Sequence, residues 1–142
     1  MRILNSETSY DDDFDTCYET FATLRIYTKE KNPQLITKIL SIEPSSITLK
    51  GEERKNNYVN GWFLSSENFI NSKDLRRHID WIIEAIKNKK KDIINFLDEG
   101  LDVYISCYWS SKNGTGGPIL SPKQLTSLSK LNIEILFEFY KC

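Results

Sequence analysis

The chain has 142 residues, 19 basic against 20 acidic, for a formal net charge of −1. That balance supplies no overall field for gathering nucleic acid or an anionic membrane. Its 39% hydrophobic, 12% aromatic and 27% charged residues exclude the disordered, collagenous and membrane-spanning classes. By surface scaling, a chain of this length buries roughly two-thirds of its unfolded surface, enough for one core without metal or disulfide staples. The expected organisation is an acidic N-terminal arm over residues 1–15 and a single domain over 16–142. Cys17, Cys107 and Cys142 form no CxxC pair and leave an odd one over, a poor disulfide framework that fits a reducing compartment. The first fifteen residues lack the apolar run of a secretory signal, and no stretch approaches the roughly 18 apolar residues that span a bilayer. A cytoplasmic location is the expectation.

In chain order, Asp11, Asp12, Asp13 and Asp15 read as a loosely held acidic arm. From Phe21 to Thr28 the residues alternate, Ala22, Leu24 and Ile26 opposite Phe21, Thr23, Arg25 and Tyr27, which predicts a half-buried strand. Asn32-Pro33 opens a short helix carrying Leu35, Ile36, Ile39 and Leu40, and Pro44 prevents its continuation. Residues 47–60 are polar and weakly strand-like; Gly61 to Ser65 is a second strand. Ser72 as N-cap and Asp74 in the first turn introduce a helix with Leu75, Ile79, Ile82, Ile83 and Ile86 as its apolar stripe. Lys87 to Lys91 interrupts that stripe, which resumes at Ile93, Ile94 and Leu97 until Gly100, predicting two consecutive helices or one bent one. Val103 to Trp109 alternates as a strand, with Val103, Ile105, Cys107 and Trp109 opposite Tyr104, Ser106 and Tyr108. After the glycine loop 113–117, Ser121-Pro122 starts a last helix, and Ile133 to Tyr140 closes as a strand.

Few alternating strands interleaved with helices predict an α+β two-layer sandwich: a mostly antiparallel sheet of four or five strands with helices on one face. A doubly wound parallel sheet is disfavoured, since its strands would be apolar on both faces.

The chemistry-bearing patterns are weak. Asp11, Asp13 and Asp15 mimic the first ligands of a calcium loop, but Thr16 stands where glycine is needed and Ala22 where the bidentate glutamate belongs. A single histidine, His78, does not complete a closed zinc site, and reads as a helix-surface residue unless Cys17 or Cys107 approaches it. Gly114-Thr115-Gly116-Gly117 lacks the lysine of a phosphate loop and reads as a flexible connection. No catalytic residue, metal or cofactor is expected. The uncovered sheet face is more informative. It carries Arg25 and Tyr27 from the first strand, Tyr104 and Tyr108 from the fourth, and Glu134, Leu136, Glu138 and Tyr140 from the last. Tyrosine offers large contact area at low entropic cost, whereas the glutamates repel phosphate. The candidate binding residues are therefore Arg25, Tyr27, Tyr104, Tyr108, Glu138 and Tyr140, with Trp109 near the glycine loop.

From Thr23 to Tyr140 the chain resembles a mainly bacterial family, domain of unknown function 4279. The resemblance rests on Ala22-Thr23-Leu24-Arg25-Ile26-Tyr27, Ile39-Leu40-Ser41-Ile42-Glu43-Pro44, Gly61-Trp62 and His78-Ile79-Asp80-Trp81. It continues through Cys107-Tyr108-Trp109, Gly116-Gly117-Pro118 and Leu120-Ser121-Pro122. It implies a small α+β protein with no catalytic residue to carry over. Some small bacterial families of this kind look like immunity proteins encoded beside secreted toxins.

The reading that results is a non-catalytic protein-interaction module, in its sharpest form an immunity-type inhibitor that occludes a toxin-like partner, with neither nucleic acid nor membrane as partner. The alternative is a small-ligand binder or enzyme using a pocket around Trp62, Trp109, Arg25, Arg54 and the glycine loop. A third is homodimerisation through the open sheet face.

Overall fold

The computed structural model describes residues 9–51 and 59–142, so Arg54 lies outside the described residues. Chain order is β1 (Cys17–Tyr27), α1 (Gln34–Leu40), β2 (Ser46–Thr48), β3 (Gly61–Ser65), α2 (Leu75–Ile86), α3 (Lys90–Asp98), β4 (Asp102–Ser111), α4 (Pro122–Leu131) and β5 (Glu134–Lys141). The five strands form one open sheet in the order β2-β3-β1-β4-β5. Three of its neighbouring pairs are antiparallel. The fourth, β4 with β5, is parallel, as a connection through α4 requires. This is the expected α+β architecture, with a mixed sheet.

The alternation of β1 and β4 sets the layers. Ala22 pairs with Cys107, Leu24 with Ile105 and Ile26 with Val103, all on one face. Against them pack Leu40 of α1, Leu75, Ile79, Ile82 and Ile86 of α2, Ile93 and Phe96 of α3, and Leu128 and Leu131 of α4. The helices thus share one side of the sheet. Trp62 of β3 is fully buried there, and its indole N–H donates to Thr37 Oγ1 at 3.0 Å, satisfying a donor that burial would otherwise strand.

Helix ends follow local chemistry. α1 stops at Ser41, whose left-handed backbone (φ 55°) lets its N–H reach the Thr37 carbonyl. The break between α2 and α3 falls within Lys87 to Lys91 as predicted. The N-cap of α2 is Asp74 rather than Ser72: its carboxylate accepts from Arg76 N. The Ser72 hydroxyl sits two residues outside, accepting from Asp74 N and donating to Asp12. α4 begins in a reciprocal capping box of Ser121 and Gln124.

Candidate functional site

On the sheet face away from the helices, side chains of four strands meet. β1 contributes Phe21, Thr23, Arg25 and Tyr27, β3 Phe63, and β4 Tyr104, Ser106 and Tyr108. The parallel register sets Glu134 beside Tyr104, Leu136 beside Ser106, Glu138 beside Tyr108 and Tyr140 beside Ser110.

Two aromatic groups form on this face. Phe21 stacks on Tyr108 at 4.8 Å between centroids, and Tyr108 on Tyr140 at 4.9 Å, making a column across β1, β4 and β5. Toward the other end, Tyr27 lies 6.1 Å from Tyr104 and edge-on to Phe63 at 5.6 Å. Arg25 is held between the groups: its Nε–H donates to Ser106 Oγ at 2.7 Å and its guanidinium sits 5.3 Å from the Phe63 ring centre, a cation–π contact. Partial burial, then the neighbouring Tyr27 hydroxyl, pushes the Tyr104 phenol up to about 12, so it is a protonated donor at neutral pH. Phe21, Tyr108 and Arg25 are half-buried, while Leu136 and Tyr140 at the β5 side are exposed.

Six of the seven candidate binding residues thus share this face. Trp109 stands apart, as the alternation of β4 predicts. Strand alternation turns it to the helix side, where it is buried and edge-on to Phe139 at 6.4 Å. The pocket imagined around Trp62, Trp109 and Arg25 is not assembled, because the two indoles and the guanidinium lie on opposite sides of the sheet. A cleft of about 320 Å³ lies elsewhere, between Leu97, Leu101, Tyr104 and Glu134.

The glycine loop is occupied by its own bonds. Ser111 Oγ accepts from Gly114 N at 2.8 Å and donates to Thr115 O at 2.8 Å. Gly116, at φ 79°, abuts Thr16 so closely that a Cβ would stand 2.3 Å from Thr16 Oγ1. Its glycine serves close packing rather than a phosphate cradle.

His78 is also corrected, from helix surface to core. Its Nε2–H donates to the Ser72 carbonyl at 2.8 Å, since a carbonyl can only accept; Nδ1 therefore accepts from the Ser66 hydroxyl at 2.6 Å. Ser66 Oγ in turn accepts from Ala22 N. Both ring nitrogens are taken, and burial lowers the imidazole pKa, so His78 is a neutral structural bridge between β1 and α2. Burial also pushes the thiols of Cys17 and Cys107 up, to about 11 and about 12, away from thiolate chemistry.

Sequence reasoning missed one constellation. Residues 10–12, expected to be loose, clasp the start of α2. Asp74 Oδ2 accepts from Asp11 N at 2.8 Å and from Arg76. Asp12 takes both Nε and NH2 of Arg77. Tyr10 lies under that guanidinium at 4.1 Å and donates to Asp80, which Gln124 also reaches. Hydrogen bonds from Arg76 and the Asp11 amide outweigh burial and hold the Asp74 carboxyl below its usual value of 3.8. No signal in the sequence ties an acidic run near the N-terminus to arginines some 65 residues on. Among the described residues, no group of three or more His, Cys, Asp or Glu side chains is arranged to hold a metal ion.

Fold and site together define a small α+β protein with one helix-covered sheet face and one uncovered aromatic face. The chain matches the family described as Domain of unknown function (DUF4279) over residues 16–141, nearly its whole length, and belongs to it. No curated protein and no solved structure matches.

Proposed function

We propose that this protein is a non-catalytic interaction module that docks a protein partner on its uncovered sheet face, and that it acts as an immunity-type inhibitor of a toxin-like partner. The observation that carries this is the Phe21–Tyr108–Tyr140 column. Its rings are stacked and so already ordered before binding, which lowers the entropic cost of association, and tyrosine is enriched at interface hot spots. Glu138 lies beside the column and Glu134 beside Tyr104, while the only cation among the candidate binding residues, Arg25, is tied to Ser106. The chemistry this face fits is an apolar protein surface ringed by basic groups.

Native mass spectrometry on protein gently purified from its own cells tests the reading, alongside the double variant Tyr108→Ser, Tyr140→Ser. The expected result is a protein complex with the wild type that the double variant lacks, and a partner that is toxic alone and neutralised only by the wild type. A small-molecule mass increment in place of a protein, or a complex that survives the double substitution, overturns it.

A further inference from the structure

The two edges of the sheet differ. β2 is three residues long, whereas β5 runs for eight, Glu134–Lys141, without proline, glycine or bulge. Among the described residues no strand pairs with the outer side of β5. Natural edges of this length are normally blunted by charge, proline or a bulge. β5 carries Glu134, Glu138 and Lys141, yet apolar residues are exposed on both of its faces: Leu136 (49%) and Tyr140 (50%) on one, Phe137 (38%) and Phe139 (61%) on the other. Phe137 and Phe139 are already parallel, 5.7 Å apart with 2° between their planes.

The backbone fixes which residues offer hydrogen bonds to that edge. Cys142 N–H donates to the Ser111 carbonyl at 2.8 Å, and the backbone groups of successive residues point to alternate sides of a strand. Even-numbered residues of β5 therefore bond β4, and Ile135, Phe137 and Phe139 direct their N–H and C=O groups outward.

We propose that β5 pairs antiparallel with β5 of a second copy of this chain, about a twofold axis through Phe137, joining two five-stranded sheets into one of ten strands. In that register Phe137 opposes Phe137, and Ile135 opposes Phe139, every pair exchanging both hydrogen bonds. Leu136 opposes Glu138 and Glu134 opposes Tyr140, so no like charges meet. Moving the axis one residue to Glu138 would set two glutamates opposite each other at a Cα separation of about 4.5 Å, which repulsion disfavours. A second copy is the occupant because the strand is its own complement in both hydrogen bonds and charge, the condition for an isologous interface. This edge is separate from the tyrosine face, and its test does not depend on what that face binds.

Sedimentation equilibrium over a concentration series reaching the millimolar range tests the pairing. The expected species approaches twice the 16.6 kDa of one chain. Phe137→Pro removes one outward N–H and leaves the bonds to β4 in place, so it should give a monomer with an unchanged far-UV circular dichroism spectrum. Should that variant fail to fold, Phe137→Lys, at a partly exposed position, should dissociate the dimer equally. In a Cys142→Ser background, Phe137→Cys should cross-link two chains on oxidation, since directly opposed hydrogen-bonded residues lie about 5.5 Å apart at Cα, within disulfide range. A chain monomeric throughout the series overturns the proposal. So does a dimer that survives both Phe137 substitutions, or one that Tyr104→Cys cross-links and Phe137→Cys does not.

Discussion

His78 illustrates how a single buried base couples the fold to pH. Its imidazole is 1% exposed and neutral, with its pKa pulled below the ordinary 6.5, chiefly by burial and against the pull of the Ser72 carbonyl. The unfolded chain takes up a proton as pH falls through 6.5, whereas the folded chain resists until its own lower pKa. Stability from this residue is therefore complete above about pH 6.5. Below that it falls by up to about 1.4 kcal/mol per pH unit, until the folded pKa is reached. Asp12 and Asp74 titrate below their usual 3.8, outside that window. Urea denaturation at pH 7.0 and 5.5 should give a lower midpoint at the acidic pH. In His78→Gln the unfolding free energy at pH 7 should drop by about 1 to 3 kcal/mol for the lost buried bonds, and the change with pH should largely vanish. A wild type equally stable at both values would remove the histidine from this role.

At the scale of elements, the first turn of α2 is where the chain is tied together. Asp74, 1% exposed at its side chain, caps the helix, anchors the Asp11 amide and pairs with Arg76, itself 14% exposed. Asp74→Ala removes a cap worth about 1 kcal/mol and leaves a mostly buried guanidinium unpaired, so a loss of about 3 kcal/mol is expected in equilibrium unfolding. Asp12→Ala breaks the Arg77 pair, where both side chains are about half in water, and should cost no more than about 1 kcal/mol. Equal losses in the two variants would contradict this ranking. The same region marks the limit of what the sequence displays. The helix itself was legible, because Leu75, Ile79, Ile82 and Ile86 repeat with the helical period. The clasp of Tyr10 and Asp12 was not, because polar contacts over long separations leave no periodic trace. His78 failed for a related reason: a histidine within an amphipathic helix looks polar until Ser66 and Ser72 are brought to its two nitrogens.

Across the whole molecule, the two sheet faces should respond differently to substitution. Trp62→Ala empties a fully buried site and removes its bond to Thr37, for an expected loss of about 4 kcal/mol. Tyr104→Ala and Tyr108→Ala truncate half-buried rings on a face with no helix over it, and should each cost about 1.5 kcal/mol or less by the area removed from water. If the tyrosine variants proved as destabilising as the tryptophan one, the face would be part of the core. Strand alternation made both faces readable in advance: all seven candidate residues fall where the period of two places them, six on the tyrosine face and Trp109 on the helix side. Strand order and the parallel β4–β5 pairing were not readable, since they arise from how the layers pack.

The position of β1 at the middle of the sheet also bears on when the protein can assemble. Ala22 must find Cys107, 85 residues later. A ribosome adding about 5 to 20 residues per second takes roughly 4 to 17 s to cover that distance. Throughout that interval the central strand has emerged without its principal partner, so the sheet closes late in translation or after release, and any holding factor would have to act on the exposed Leu24 and Ile26 of the nascent chain.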